Sequence, residues 1–537
     1  MLRVLVATLL LEALLLPVCR SQLTWTIVPQ GTAPRPSVRS DFGFGYDPTG
    51  NSVYVFGGQG GSGIMNDLWR FDLSTNSWAE VNPTTSARPP VRFSMISGFY
   101  TQGPDGLFVI STGEGSGKVF YNDIWAYNVR TGVWTELSSQ GDVPTERYGA
   151  AGGLHVNGTA LYVTHGFSNR RFSDTVRYDF SESRWITEFG GTHEYSATQP
   201  HPRCLLGSTM AGPDEPVFFG GCLSGGFSGG PCPAADSWAF RNSKWERMDD
   251  CAAPRQYSAI ARWPGRNGEV VMFGGLENDR SIIMSKKSET NEVDYLQTST
   301  GTWRRLVTVG AGDGTVPALR SSHGMVTVTN GNPNGILLWG GSPTNVNGDN
   351  VQDMWLLTGN PDMAGTAGSC GPTWFLYMHL HGFFMIISWG ILLIAGVFIA
   401  RYFRDKDPLW FKLHRGIQIA GACLSLLGII LVFPGTRAVP NFAHGVIGIL
   451  ILLFSIQQII NGILRPHKGE GEPPKKRVYW EYWHMWGGRL FLVLGAINIS
   501  LGVYLIIAPV AVIAIWFVIF VAWVIAFVVF EIKHQRK

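Results

Sequence analysis

Four histidines have the residue type and the spacing for chemistry: His381, His414, His444 and His484. Each lies near the start of its own long apolar run in the last third of the chain. The runs span approximately 374–400, 411–433, 442–464 and 483–507, and a fifth, 510–530, contains no histidine. Each has about 20 residues or more, enough for a helix to cross a hydrocarbon core ~30 Å thick. If successive helices alternate in direction, His381 and His444 fall near one membrane face and His414 and His484 near the other. With a rise of ~1.5 Å per residue, the two levels lie about 20 Å apart. Two imidazoles facing each other across a helical bundle are the axial ligands of a b-type haem iron. Because both axial positions are then filled, the expected chemistry is electron transfer through two haem b groups, not oxygen binding. Glycines beside the histidines (Gly382, Gly416, Gly445, Gly487 and Gly488) leave room for a macrocycle against the backbone. A lone histidine at a helix end reads as interfacial, and His379 and His467 are of that kind. Four on four helices, alternating between two depths, call for the haem reading.

The elements that must position these histidines are five membrane helices, and the loops orient them. Arg401, Arg404 and Lys406 follow the first run. Arg465, Lys468, Lys475, Lys476 and Arg477 follow the third, and Lys533, Arg536 and Lys537 follow the fifth. Positive charge marks these exits as cytoplasmic, so the N-terminal two-thirds are expected outside, extracellular or lumenal, on a plasma membrane or endomembrane protein. Lys412, Arg415 and Arg489 lie near the inner histidine level. They suit haem propionates or an anionic donor, and snorkelling to lipid headgroups explains them equally. Gln418, Gln458, Asn461 and Asn498 are expected to hydrogen-bond between helices.

The segments HGFFMIISWGILLIAGVFIARYF, WFKLHRGIQIAG, AHGVIGILILLFSIQQIINGILRP and YWEYWHMWGGRLFLVLGAINISLGVYL resemble the transmembrane core of the cytochrome b561 family, in its ferric-reductase-like branch. That resemblance implies pairing of His381 with His444 and of His414 with His484. It also implies transmembrane electron transfer, with cytoplasmic ascorbate as donor and ferric iron or monodehydroascorbate as external acceptor. Members of that branch often carry a haem-binding DOMON domain outside the membrane. This chain carries something else.

From residue 22 to about 360 a unit repeats roughly every 50 residues. VYVFGGQ precedes DLWRFDLSTNSW, PVFFGGC precedes DSWAFRNSKW, and ILLWGGS precedes DMWLLTGN, with three further copies between them. Apolar runs ending in Gly-Gly read as buried strands closing in turns that need positive φ. The units resemble the kelch motif, and six of them imply a six-bladed β-propeller. The glycine pair is degraded to Thr112-Gly113 and His165-Gly166. Trp78, Trp134, Trp185, Trp245 and Trp303 recur on the outer strand of their units. The last unit lacks its tryptophan strand, and LTWTIV around Trp25 is expected to supply it and close the ring, leaving no exposed sheet edge.

The predicted organisation is therefore an all-β six-bladed kelch propeller followed by an all-α five-helix transmembrane bundle. Residues 1–21 read as a signal peptide, 22–360 as the propeller, 361–373 as a linker, 374–531 as the cytochrome b561-like domain and 532–537 as a cytoplasmic tail. Four cysteines within fifty residues suit two disulfides in a secreted domain. Of three connectivities, nesting favours Cys222 with Cys232 and Cys204 with Cys251, which leaves Cys370 unpaired. Asn157-Gly-Thr is a glycosylation acceptor. A net charge of +3 on 537 residues gives no reason to expect nucleic acid. Two functions are compatible with these features. One is a di-haem transmembrane oxidoreductase. The other is a surface recognition or adhesion protein whose propeller binds a protein or glycan, with the haem bundle as anchor or redox reporter. The oligomeric state stays open, a dimer included.

Overall fold

The computed structural model describes residues 23–103, 105–191, 199–223, 234–249, 254–276, 281–283, 293–343, 351–369, 373–436, 439–440, 443–466, 474–505 and 510–536. The described residues between 23 and 358 form six blades around an axis, each built on a four-stranded antiparallel meander, and blades V and VI each gain a fifth strand. Blade I is Gly43–Asp47, Ser52–Gly60, Gly63–Asp72 and Ser77–Val81. Blades II to V repeat the meander over 96–136, 151–189, 207–247 and 259–306. Blade VI is built from Gly324–Val328, Gly335–Trp339 and Met354–Thr358, its fourth strand is Leu23–Ile27 from the other end of the described chain, and Thr308–Gly310 pairs parallel to that strand at the edge. Trp25 pairs with Leu357 and is fully buried. The expected ring closure is thus formed, and Trp25 fills the place of the tryptophan that the sixth repeat lacks. The other five repeat tryptophans all lie on fourth strands and are buried.

Apolar side chains on both faces of each blade pack into six separate cores, one in each gap between neighbouring blades. The Gly-Gly turns lock the blades together. The second residue of each pair donates its backbone N–H to the next blade's arginine carbonyl, as in Gly58 to Arg92 (2.9 Å) and, closing the circle, Gly341 to Arg39 (3.0 Å). Each of these arginines is buried and grips its own blade. Arg39, for example, donates to the Gly57 carbonyl (2.9 Å) and to both oxygens of Asp67 (2.7 and 2.8 Å). Arg92–Asp123, Arg147–Asp174, Arg203–Asp236 and Arg320–Asp353 repeat the pattern. In blade V the carboxylate comes from Asp294, two residues further along the strand, and it is shared between Arg255 and Arg305. The degraded glycine pairs keep the same backbone. Thr112 (φ +66°) and His165 (φ +57°) hold the left-handed conformation of Gly57 (φ +60°).

A second ring of hydrogen bonds surrounds the axis at one mouth. Asp41, Ser94, Gly149, Leu205, Tyr257 and Ser322 each donate their N–H to the preceding member's carbonyl at 2.7–3.0 Å, and all have φ between +50° and +62°.

Two sequence expectations are corrected here. Cys204 is a free, buried thiol, so the proposed Cys204–Cys251 bridge does not form. It faces Cys222 across an antiparallel bridge, and Cys222 is disulfide-bonded. Cys232, Cys251 and Cys370 lie outside the described residues, as do the signal segment and Cys19. The stretch read as linker is also not plain linker: Thr366–Ser369 adds a fifth strand to blade V, pairing with Thr302–Leu306. Asn157 is exposed in the turn between the first two strands of blade III.

The C-terminal part contains five helices long and apolar enough to cross a membrane, as in an integral membrane protein. The first span is α1 (Thr373–Met385), a π-helical turn (Ile386–Leu392) and α2 (Leu393–Tyr402). The others are α3 (Leu409–Thr436), α4 (Ala443–Ile463), α5 (Lys475–Leu505) and α6 (Val510–Gln535). A short antiparallel ladder, Ser281–Ile283 with Val439–Pro440, ties the loop after the blade V glycine pair to the α3–α4 connection. The Gly-Gly face of the propeller therefore meets the end of the bundle where His444 lies.

Candidate haem-binding bundle

The helices bring the four histidines together as two pairs. The His381 and His444 ring centres are 6.1 Å apart with planes at 89°, and those of His414 and His484 are 6.5 Å apart at 84°. An iron held at about 2 Å by each of two imidazole nitrogens, with roughly 1.1 Å more from nitrogen to ring centre, needs about 6.2 Å. Both gaps fit that requirement.

The neighbouring helices anchor the rings. His381 Nδ1 bonds the Gly428 carbonyl (2.9 Å), His414 Nδ1 the Gly396 carbonyl (2.8 Å) and His444 Nδ1 the Asn498 carbonyl (2.9 Å). A ring that donates from Nδ1 presents the Nε2 lone pair to a metal and becomes a stronger donor. These bonds also fix the depth. Fourteen residues separate His414 from Gly428 and likewise His484 from Asn498, which places the two levels ~21 Å apart along the helices.

His484 is held differently. Its Nδ1 is buried without a partner, and the ring stacks on Trp480, with centres 5.0 Å apart and planes at 7°. Trp480 donates Nε1 to the Asn461 carbonyl (2.7 Å), and the guanidinium of Arg477 lies 4.8 Å from its ring centre.

Glycine sets the clearances. A Cβ at Gly382, Gly416 or Gly488 would meet nothing within 4 Å, so open space adjoins three of the four histidines. A Cβ at Gly502 would come within 2.8 Å of the His444 ring, and one at Gly495 within 2.4 Å of the Trp389 ring. Between the two levels the bundle is packed by Trp389, Leu393, Ile451, Phe491, Ile499 and Trp516. The π-helical turn leaves carbonyls for side chains of other helices: Trp523 Nε1 reaches the Gly390 carbonyl (2.9 Å) and Gln418 the Leu393 carbonyl (3.0 Å). α6 packs outside the first span through Phe398, Trp523 and Phe527, and through the Arg401–Glu531 ion pair.

Among the expected inner-level cations, Arg415 and Arg489 line the cavity beside His414 and His484, whereas Lys412 is exposed and does not. Arg465 and Arg477 also line it, and sequence reasoning had used them only for orientation. Trp480, one turn before His484, is the contact of its ring. Gly502 and the carbonyls of Gly396 and Gly428 carry no mark in the sequence, since a glycine on the neighbouring span says nothing of the ring it faces.

The chain thus joins a six-bladed propeller to a five-helix bundle that holds two facing histidine pairs. Comparison with known proteins agrees with it in both halves. Residues 375–508 match the family model of eukaryotic cytochrome b561, and residues 15–221 match that of the KLHDC2/KLHL20/DRC7 Kelch-repeats domain. A cytochrome b561 and DOMON domain-containing protein of Arabidopsis thaliana is 42% identical over 125 residues, 23% of this chain and 30% of that protein. A Drosophila melanogaster protein described as a ferric-chelate reductase 1 homolog is 30% identical over 138 residues, 24% of this chain and 21% of its own length. On the propeller side, acyl-CoA-binding domain-containing protein 5 of Arabidopsis thaliana is 28% identical over 247 residues, 46% of this chain and 36% of the relative. The chain spans less than half the length of these relatives. It joins a six-bladed propeller, similar over residues 15–221 to a Kelch-repeats domain, to a five-helix bundle similar over residues 375–508 to eukaryotic cytochrome b561.

Proposed function

We propose that the protein moves electrons across a membrane through two b-type haems, one held by His381 and His444 and the other by His414 and His484. The observation that carries this reading is the pair of facing imidazole gaps, 6.1 and 6.5 Å wide, at two depths in one bundle. When bound, each haem supplies a one-electron iron couple. The chain's own residues do the rest. His381 with His444, and His414 with His484, would each hold one haem iron between them, an arrangement suited to electron transfer rather than oxygen binding. The Gly428, Gly396 and Asn498 carbonyls orient three of the rings, and Trp480 orients the fourth. The apolar packing between the levels excludes water from the path. The loop charge supports a cytoplasmic side for His414 and His484, where Arg415, Arg465 and Arg489 suit an anionic donor such as ascorbate. The external acceptor, ferric iron or monodehydroascorbate, would meet the His381/His444 level beneath the propeller.

The test is the haem content and the reduced-minus-oxidised optical spectrum of the purified protein. Two haems per chain with bis-histidine b-type bands are expected. Replacing either member of one pair by leucine should alter one spectral component only, and the same one for both members. Haem content well below two, or histidine variants that do not group into these pairs, would refute the assignment. Vesicles loaded with ascorbate and supplied externally with ferric chelate then test direction and acceptor.

A further inference from the structure

The axis of the propeller encloses a channel of about 290 Å³, lined by the innermost strands of the blades. At its mouth on the Gly-Gly face stands Asp41, whose carboxylate is held by Gln59 (3.0 Å) and Ser40 (3.1 Å). The opposite mouth is lined by Arg262, at the end of the first strand of blade V, and His155, just after the first strand of blade III. Both are buried, with 7% and 3% exposure.

Of the buried arginines among the described residues, Arg262 alone makes no ion pair; Arg39, Arg92, Arg147, Arg203, Arg255, Arg320 and Arg477 each hold a carboxylate. Its one hydrogen bond goes to the Trp263 carbonyl at 3.4 Å, a poor contact for a group with five N–H donors. His155 points the same way. Its Nδ1 accepts from the Asn157 N–H (3.0 Å), so a neutral ring carries its proton on Nε2. That Nε2 is buried without a hydrogen bond, although Asn267 approaches it. A desolvated cation beside an unused N–H donor is costly unless something negative joins them. Asp41 cannot, since five residues of strand, roughly 17 Å, separate the two levels.

We propose that the Arg262/His155 mouth of the channel binds a small oxyanion, a carboxylate or a phosphate. The channel has the volume of about ten waters at ~30 Å³ each, which limits the ligand to a compact metabolite. The ladder between blade V and the α3–α4 connection turns the Gly-Gly face toward the bundle, so this mouth opens on the side away from it and a ligand can enter from solution.

The test uses full-length protein in detergent, with the melting of the propeller followed by tryptophan fluorescence. Inorganic phosphate, malonate and gluconate are titrated against chloride at matched ionic strength. One of the oxyanions should raise the midpoint saturably, and the phosphate and carboxylate arms distinguish the two chemistries. Arg262→Met should melt above the wild type without anion, because a desolvated charge has gone, and should no longer respond to the anion. Arg262→Lys and His155→Leu should respond with affinity weakened at least tenfold. These two variants decide the matter if Arg262→Met does not fold. A wild type that treats every oxyanion like chloride, or variants that respond as the wild type does, would overturn the proposal.

Discussion

Replacing Arg203 by leucine tests the arginine ring that holds the propeller together. The Arg203 side chain is 1% exposed and donates to both oxygens of Asp236 (2.5 and 2.8 Å), to the His201 carbonyl (3.0 Å) and to the Gly220 carbonyl (3.1 Å). Leucine leaves Asp236 with Trp238 Nε1 (2.7 Å) and strands two carbonyls. Breaking a buried pair from one side costs about 3–5 kcal/mol, so a loss of about 4 kcal/mol is expected at pH 7. The dependence on pH has a definite sign. In the wild type Arg203 holds the Asp236 carboxyl well below the usual carboxylate range. The stability from the pair is complete above the unfolded value, about 3.9, and is lost as pH falls toward the native value. In the variant, burial acts on Asp236 without its main cation, so the native carboxyl rises above 3.9 and protonation then stabilises the fold. The difference between wild type and variant should therefore be largest at neutral pH and shrink below about pH 5. Relief of the histidines near Arg203 acts in the same direction, since Arg203 helps depress His165 and His201. Urea unfolding followed by tryptophan fluorescence, with each variant compared with wild type at every pH, measures the difference. The double change Arg203→Leu/Asp236→Asn should recover part of the loss and flatten the pH dependence. A loss under about 1 kcal/mol at pH 7, or a deficit constant from pH 7 to 4, would refute the reasoning.

Four further outcomes follow from named contacts. Trp25→Ala opens a cavity in the closing strand and should cost about 3–5 kcal/mol, read as a lower urea midpoint with the haem spectrum unchanged. Burial depresses His155 and His201 to about 4 and His323 to about 3, so each contributes stability that is full above the unfolded value, near 6.5, and is lost as pH falls toward its native value. The propeller should lose stability from pH 6.5 to 4, and His323→Phe should remove one proton from that uptake. Gly502→Ala must push the His444 ring and, on the proposed assignment, should disturb the haem of the His381/His444 pair while sparing the other, in electron paramagnetic resonance or optical spectra. Cys204 is buried and its thiol is pushed up by desolvation, so alkylation of the native protein should leave it unlabelled and denaturation should expose it as a free thiol.

The repeats and spans were legible because each follows from a local pattern. Gly-Gly after an apolar run, a tryptophan on the outer strand and twenty apolar residues each state their own structure, and Trp25 could be assigned to blade VI because that repeat lacked its tryptophan. The histidine levels were legible because rise per residue converts spacing into depth. The free state of Cys204 was not, since nesting in sequence ignores which strands lie side by side; Cys204 and Cys222 face each other across a bridge and yet are not bonded to one another. The extra strand at Thr366–Ser369 was hidden for a related reason, because small residues read as linker until a blade edge offers them partners.

The sequence by itself determined the number of blades, the number of spans and the four imidazoles with their two depths, because these depend on period and length along one chain. Tertiary structure alone decided what lies across from each residue. It set the 6.1 and 6.5 Å gaps, the stacking of Trp480 on His484, the pairing of six arginines with aspartates and the isolation of Arg262. Those depend on contacts between segments far apart in the chain, where spacing along the sequence no longer measures distance in space.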